Sequence, residues 1–249
     1  MRRILGVFSL LWKIYIAVFF FFWGILLFPF FCFLILFPSL KKQSFKVFIV
    51  WSYALRFCCF YPIRKITYEP IPEGPYIIVA NHTSYLDIFF MYSILPKHAF
   101  MFMGKSEILS YPLVNIYFKS MNVPVDRGNK SQSSRAFLGA LKAYSEGYSI
   151  AIFPEGTFPT EDLPKMLPFK LGAFKLAKQM NAPILPLTFI NNYQLFSDPT
   201  DWLGPARPGL ATVHIHPLIT KDKIEQCSAE ELREECFKII EKPFNIQEP

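Results

Sequence analysis

The first forty residues of this chain carry almost no charge. Between residues 5 and 40 the only charged residue is Lys13, and residues 14–37 alone exceed the roughly 20 apolar residues needed to cross a bilayer. No convincing small-residue cleavage site follows this run, which disfavours a secretory signal peptide. Hydrophobic residues make up 52% of the chain and include 28 phenylalanines. The composition therefore predicts contact with lipid rather than an ordinary soluble protein.

Several common catalytic and binding motifs are absent from the sequence. It contains no G-x-S-x-G, no P-loop and no G-x-G-x-x-G, which disfavours a serine hydrolase, an NTPase or a dinucleotide enzyme. No recognisable nucleic-acid module accompanies the net charge of +7. We therefore expect no nucleic-acid partner, and we expect the basic excess to meet anionic lipid head groups or an acidic substrate.

Cysteine and histidine are sparse, and neither predicts a metal site. The five cysteines form no C-x-x-C pair, so we expect free buried thiols in a reducing compartment. His214 and His216 alternate along a predicted strand, but no third ligand accompanies them. We expect no bound metal.

A change of composition near Pro62 divides the chain. Residues 1–62 are predicted to be membrane-anchoring helices, in which Pro29 interrupts the long apolar run and a second helix covers residues 45–61. Residues 63–249 are predicted to form an α/β domain. Basic residues flank the long run on both sides, so charge does not choose its orientation. Either the first helix crosses the bilayer, or the two helices dip in together from one face.

Short β-rich runs alternate with helical patterns after Pro62, which favours a mixed, largely parallel sheet flanked by helices. The predicted strands are Lys65–Tyr68, Tyr76–Ala80, Ala99–Met103, Met121–Val125, Ser149–Phe153, Ile184–Ile190 and Ala211–Ile215. The predicted helices are Leu86–Leu95, Ser110–Phe118, Ser131–Glu146, Gly172–Gln179 and Ala229–Ile240. Residues 191–208 are rich in Pro, Asn, Asp and Gly, and they are predicted to form a long loop.

The stretch from Asn81 to Asp87 is the main candidate for chemistry. His82 and Asp87 follow a buried-type strand with four residues between them. An imidazole can take a proton from a hydroxyl near neutral pH, and a carboxylate can hold its ring in the required tautomer. Ser84 and Asp87 also match a capping box, so Asp87 could serve only the start of a helix.

Three further blocks follow in order along the chain. Asp126 and Arg127 end one predicted strand, and a guanidinium there can hold a phosphate by two hydrogen bonds. Residues 153–157, Phe-Pro-Glu-Gly-Thr, end another strand with a carboxylate and a glycine. Residues 184–187, Ile-Leu-Pro-Leu, form a strand interrupted by proline. The open ends of strands in α/β sheets are the usual place for ligand sites.

This ordered set resembles the four blocks of the glycerolipid acyltransferases, of the lysophosphatidate acyltransferase type, over roughly residues 63–220. The resemblance implies transfer of a fatty acyl group to a hydroxyl of a lysophospholipid, with acyl-CoA or acyl carrier protein as cosubstrate and no other cofactor. It implies that His82 is the general base and that Asp87 orients it. Arg127 would bind the acceptor phosphate, and Glu155, Gly156 and Thr157 would position the glycerol.

One departure from the family bears on the acceptor. The family commonly follows the glycine–threonine pair with arginine and serine, whereas Phe158 and Pro159 stand here. Either lysines near the blocks compensate as substrate-binding groups, or the acceptor carries another head group, such as an amino-acid-linked lyso-lipid. The candidate lysines are Lys105, Lys165 and Lys170.

Two further expectations concern location and class. Cytosolic thioester donors would place the catalytic domain on the cytosolic side of the inner or cytoplasmic membrane. A non-catalytic tether that binds anionic lipid is the alternative from another class, motivated by the net charge and the apolar N-terminus. The spacing of His82 and Asp87 argues against it, because a tether needs no oriented base.

Overall fold

The protein is described here by a computed structural model that covers residues 2–111, 113–125, 130–159, 163–198 and 200–245. Within these ranges the strands are β1 Ile63–Thr67, β2 Ile77–Ala80, β3 Phe100–Lys105, β4 Val123–Val125, β5 Ser149–Ile152, β6 Ile184–Phe189 and β7 Ala211–Ile215. The α-helices are α1 Arg2–Leu36, α2 Phe45–Cys58, α3 Tyr85–Ile94, α4 Val114–Met121, α5 Lys130–Ser145, α6 Gly172–Met180, α7 Asn192–Leu195, α8 Lys221–Gln226 and α9 Ala229–Asn245. Short 3₁₀ helices cover Pro38–Ser44 and Ser106–Ser110.

The strands form one seven-stranded sheet in the order β1-β7-β6-β2-β5-β3-β4. Every neighbouring pair is parallel except β6 with β7. The central strand β2 is buried along its whole length, as expected for a strand with neighbours on both edges and helices on both faces. The predicted fold class, a mixed and largely parallel sheet flanked by helices, is confirmed.

Each of the seven predicted strands overlaps an observed strand, but the helices differ in three places. The predicted helix 110–118 begins later, at Val114, after a 3₁₀ turn. The predicted loop 191–208 contains the short helix α7, and α8 was not predicted. Helices of four and six residues are too short to show a helical period in the sequence.

The long N-terminal helix is continuous through Pro29, the residue that interrupts the apolar run in the sequence. α1 runs from Arg2 to Leu36 with Pro29 inside it. A proline inside a helix removes one backbone hydrogen bond and crowds the carbonyl four residues before it, which can bend a helix without ending it. The helix ends at Leu36, where Pro38 begins the 3₁₀ turn that leads to α2.

One stripe of α1 packs against α2 and the α/β domain. Trp12 donates its indole N–H to the Tyr61 hydroxyl (3.0 Å), and the Tyr117 hydroxyl donates to the carbonyl of Gly24 (2.7 Å). A Cβ added at Gly24 would lie 2.8 Å from the Trp51 ring, so this close approach requires glycine. The helix is therefore fixed to the domain along its length.

Candidate active site

The turn after β2 carries the catalytic candidates and is pinned to a neighbouring strand. Asn81 donates its side-chain amide to the carbonyl of Phe189 (2.9 Å) and accepts the Phe189 backbone N–H (2.8 Å). This two-way bond joins the carboxyl ends of β2 and β6. The residue that follows, His82, therefore leaves the sheet from a fixed point.

His82 and Asp87 lie in direct contact. The distance between His82 Nδ1 and Asp87 Oδ2 is 3.0 Å, and the aspartate is fully buried while the histidine side chain is 12% exposed. A carboxylate only accepts hydrogen bonds, so Nδ1 carries the proton and Nε2 has the free lone pair. Among the residues that the structure describes, His82 Nε2 has no hydrogen-bond partner. This arrangement is that of an oriented general base.

The same carboxylate also caps helix α3. Asp87 Oδ2 accepts the backbone N–H groups of Thr83 (2.8 Å) and Ser84 (2.9 Å), and Ser84 completes the capping box. The two interpretations of Asp87 drawn from the sequence are thus compatible. One oxygen holds both the helix start and the imidazole, so the helix itself sets the position of the carboxylate beside His82.

Two aromatic rings enclose the imidazole of His82. The Phe153 ring stacks on it at 3.8 Å between centroids and an interplanar angle of 10°. The Phe158 ring lies 4.2 Å away at 47°, and it also contacts Tyr85 at 4.9 Å. The position where the family commonly has arginine therefore holds an aromatic ring beside the base.

Glu155 joins two loops. It is 2% exposed, its Oε1 accepts the backbone N–H of His82 (2.7 Å), and its Oε2 accepts that of Leu167 (2.7 Å). Burial raises the pKa of Glu155 to about 7, although the two backbone bonds oppose this rise. Both carboxylate oxygens are thus engaged with the protein backbone in this structure.

The other predicted site residues are spread around this centre. Gly156 adopts a positive φ of 81°, which glycine tolerates best, and Thr157 is exposed. Lys105 ends β3 and is exposed. Lys170 donates its backbone N–H to the carbonyl of Pro154 (2.9 Å), which places it beside Glu155. Arg127 lies outside the described residues.

Asn192 is a site residue that sequence reasoning missed. Its side-chain amide nitrogen lies 2.7 Å from Asp87 Oδ1, and both side chains are fully buried. The residue lies in the predicted loop 191–208, three residues after the end of β6, which runs parallel to β2. Because parallel neighbours end at the same edge of the sheet, this position could have been considered.

The paired histidines of β7 are engaged by hydroxyl groups. His214 Nδ1 lies 2.8 Å from the Tyr68 hydroxyl, and His216 Nε2 lies 2.8 Å from Thr188 Oγ1. No cluster of three or more His, Cys, Asp or Glu side chains suited to a metal occurs within the described ranges.

Glutamine at position 155 should change how stability depends on pH. A raised folded-state pKa means that Glu155 contributes stability at pH values below about 4.5, and that this contribution is lost as pH rises through about 7. The span corresponds to roughly 3 kcal/mol, or several degrees in the unfolding temperature. The unfolding temperature of the native chain minus that of Glu155→Gln should therefore be more positive at pH 5 than at pH 8. Exposed Glu146→Gln is the control, and a pH-independent difference would contradict the assignment.

The fold and the oriented base define an α/β enzyme whose site lies at the carboxyl ends of parallel strands. The family model for acyltransferases matches residues 62–190, just over half of the chain. The chain therefore belongs to the acyltransferase family. The family resemblance inferred from the four sequence blocks and the assignment to an enzyme class are both confirmed at this level.

Two relatives and one crystal structure illustrate the similarity. A 1-acyl-sn-glycerol-3-phosphate acyltransferase of Chlamydomonas reinhardtii is 28% identical over 167 residues, 66% of this chain and 48% of that protein. The Saccharomyces cerevisiae protein of the same name is 31% identical over 201 residues, 74% of this chain and 64% of that one. The chain thus spans less than two thirds of either relative.

The crystal structure of the 1-acyl-sn-glycerophosphate acyltransferase PlsC from Thermotoga maritima has the same fold. Its TM-score to this chain is 0.74 at 24% sequence identity, and the match covers 98% of this chain and 97% of that one. The likeness extends over the N-terminal helices as well as the α/β domain.

Proposed function

We propose that this chain transfers a fatty acyl group from an acyl thioester to the free hydroxyl of lysophosphatidate and so produces phosphatidate. The observation that carries the proposal is the contact of His82 Nδ1 with buried Asp87, at 3.0 Å, in a chain of the acyltransferase family. Relatives that carry the name 1-acyl-sn-glycerol-3-phosphate acyltransferase support the acceptor. The donor is acyl-CoA or acyl carrier protein, and no other cofactor is required.

The mechanism is a direct displacement. His82 Nε2 takes the proton of the acceptor hydroxyl, and that oxygen attacks the carbonyl carbon of the thioester. The carbon–sulfur bond then breaks, and the departing thiolate takes the proton back from His82. Asp87 stabilises the imidazolium that exists between these two proton transfers. No covalent acyl-enzyme is needed.

Cationic side chains at the carboxyl edge of the sheet are proposed to hold the acceptor phosphate. Lys105 at the end of β3 is exposed and therefore available to an anion. Arg127 is assigned to the same task by its place in a family block, and Lys170 by its position near one. Gly156 and exposed Thr157 would border the glycerol, while Glu155 would act through the two loops that it joins.

A second acceptor class is supported by the ring of Phe158. It lies 4.2 Å from the His82 ring, where the family commonly provides a cation for phosphate. An acceptor whose head group lacks a phosphate, such as a lyso-amino-acid lipid, would not need that cation. The reaction at the hydroxyl would be unchanged.

An acceptor panel tests both assignments. We expect thiol release from acyl-CoA or acyl carrier protein only when a lyso-lipid is added, and fastest with lysophosphatidate. Phe158→Arg is expected to raise the rate with lysophosphatidate and to leave a lyso-glycine lipid unimproved. If the native chain turned over lyso-glycine or lyso-ornithine lipid faster, that lipid would replace lysophosphatidate as the proposed acceptor. The absence of acceptor-dependent turnover with every lyso-lipid would refute the proposed reaction.

We also propose that α1 and α2 hold the enzyme in one leaflet of a membrane, with the catalytic domain on the cytosolic side. α1 contains one segment long and apolar enough to span a bilayer, Leu5–Leu36, with a mean hydropathy of 2.6. One stripe of this helix packs on the rest of the protein. It extends from Gly6, which lies against Leu203, to Phe31, whose ring contacts Phe48. A second face exposes large apolar side chains: Leu5, Phe8, Leu11, Ile14, Val18, Phe21, Phe22, Ile25, Leu26, Phe30, Phe33 and Leu36.

Membrane topology separates this placement from a spanning helix. A helix that crossed the bilayer would separate its N-terminus from the α/β domain that it packs against. With a tag at either end of the chain, we expect both tags to be accessible to protease from the same side of sealed membrane vesicles. Tags on opposite sides would show that α1 spans. Release of the protein by high salt alone would contradict an apolar attachment.

A further inference from the structure

The fully buried carboxylate of Asp87 is held on both of its oxygens. Oδ2 accepts three N–H groups, from the His82 ring and from the backbone of Thr83 and Ser84. Oδ1 accepts one N–H group from the described residues, the side-chain amide of Asn192 at 2.7 Å. A buried carboxylate oxygen without a donor is costly, so the Asn192 bond matters to where Asp87 rests.

The side chain of Asn192 is poorly explained by packing alone. It is fully buried on a short helix, and its Oδ1 has no hydrogen-bond partner within the described part of the chain. The amide nitrogen must face Asp87, because a carboxylate only accepts. An apolar residue would fill the position without leaving a buried polar oxygen unpaired. The hydrogen bond to Asp87 is the contact that requires asparagine.

The segment that carries Asn192 is fixed from two directions. On the catalytic side, Ser84 Oγ donates to the carbonyl of Phe196 (2.7 Å). On the side of the N-terminal helices, Tyr61 donates to the carbonyl of Leu195 (3.2 Å). Lys13, the single charge in the apolar run of α1, donates to Ser197 Oγ (2.8 Å). Asn192 is thus presented to Asp87 by a rigid support rather than by a free loop.

We propose that Asn192 is a positioning residue for acyl transfer, which holds the Asp87 carboxylate in the orientation that directs His82 at the acceptor hydroxyl. This inference rests on the proposed function. Asn192 acts through Asp87 and is not assigned any contact with substrate. Its loss should therefore slow the chemical step and leave substrate binding nearly unchanged.

The first test replaces Asn192 by leucine, which has a similar volume and no donor. We expect kcat to fall about tenfold to a hundredfold, with KM for donor and acceptor changed less than about threefold. The matched control is Gln194→Leu, the same chemical change at an exposed position two residues along the helix, which should keep the native kcat. An Asn192→Leu variant with native kcat would overturn the proposal.

A second measurement follows His82 directly and needs no turnover. In the protein labelled with nitrogen-15 at histidine, NMR should show a shifted Nδ1–H resonance of His82 in Asn192→Leu, because that proton lies on Asp87. The ring resonances of His98, at the opposite end of the sheet, should stay as in the native chain. An unchanged His82 Nδ1–H resonance would overturn the positioning role.

A double exchange separates folding from catalysis. In Asp87→Asn combined with Asn192→Asp, the amide and the carboxylate trade places, so the hydrogen bond between the two side chains can form in reverse. We expect the exchanged chain to fold with a lowered unfolding temperature, because the moved carboxylate has fewer donors, and we expect kcat to stay at least a hundredfold low, because the charge has moved away from His82. Recovery of kcat in the exchange would overturn the proposal. If the native enzyme used no lyso-lipid at all, the proposed function would fail, whereas the His82 resonance would still decide whether Asn192 positions Asp87.

Discussion

Replacement of His82 by glutamine is expected to reduce acceptor-dependent thiol release by a factor of about 10² to 10⁴. Glutamine preserves a polar side chain between the Phe153 and Phe158 rings, but it has no basic nitrogen to take the hydroxyl proton. The rate is measured with acyl-CoA or acyl carrier protein and lysophosphatidate in detergent or vesicles.

His98→Gln is the matched control for this variant. His98 contacts the Tyr76 hydroxyl (2.6 Å) at the amino end of β3, away from the carboxyl ends where His82 lies. The control should retain native activity, and both variants should unfold near the native temperature. Undiminished acyl transfer by His82→Gln would rule out the proposed mechanism.

Replacement of Asp87 by asparagine is expected to have a second large effect, on activity and on stability together. On the Oδ2 side an asparagine amide nitrogen would meet three N–H donors, so it must turn to the Oδ1 side, where the Asn192 amide has to reverse to accept it. We expect a loss of about 1–3 kcal/mol, because hydrogen bonds to a charged carboxylate are replaced by weaker neutral ones. We also expect kcat to fall by up to about 10⁴, because the imidazolium loses its counter-charge and the imidazole its enforced tautomer.

The control for this variant is the same change at an exposed aspartate. Asp222 lies in the first turn of α8, so Asp222→Asn should leave kcat unchanged and alter the unfolding temperature little. Chemical denaturation gives the stability difference, and steady-state kinetics give kcat. An Asp87→Asn protein with native kcat would mean that Asp87 serves the helix cap alone.

The placement of His82 beside Asp87 could be predicted from the sequence because it depends on local structure. In the sequence, a buried-type strand precedes His82 and a helix start follows it, so Asp87 is predicted to lie in the first helical turn. In the structure, α3 begins at Tyr85. A helix of this kind turns residue N3 back toward the chain that enters it. Contact between His82 and Asp87 follows from that local geometry.

The role of Glu155 illustrates where local reasoning reaches its limit. The sequence shows a carboxylate at the end of a strand, which favours a contact with substrate. The structure has it accept N–H groups from His82, 73 positions earlier, and from Leu167 in a later loop. These partners depend on β2 and β5 lying side by side, and strand order is not encoded in either segment alone.

The apolar character of the N-terminus was likewise readable from composition, whereas its packing was not. Hydropathy marked a long helix and left open whether it crosses a bilayer. The bonds of Trp12 to Tyr61 and of Tyr117 to Gly24 join that helix to the domain along one stripe. Only the packed structure distinguishes the stripe that meets protein from the face that stays exposed.

The sequence by itself determined the seven strands, the long apolar N-terminal helix and the contact of His82 with Asp87, because each arises from residues close together in the chain. It also determined the family, through the order of four separate blocks. The tertiary structure decided the sheet order, the aromatic cover of His82 by Phe158 and the support of Asp87 by Asn192. The last two residues are 105 positions apart. Their contact exists because β6 and β2 are parallel neighbours, and hydrophobic packing of the whole sheet, rather than any local preference, brings those strand ends together.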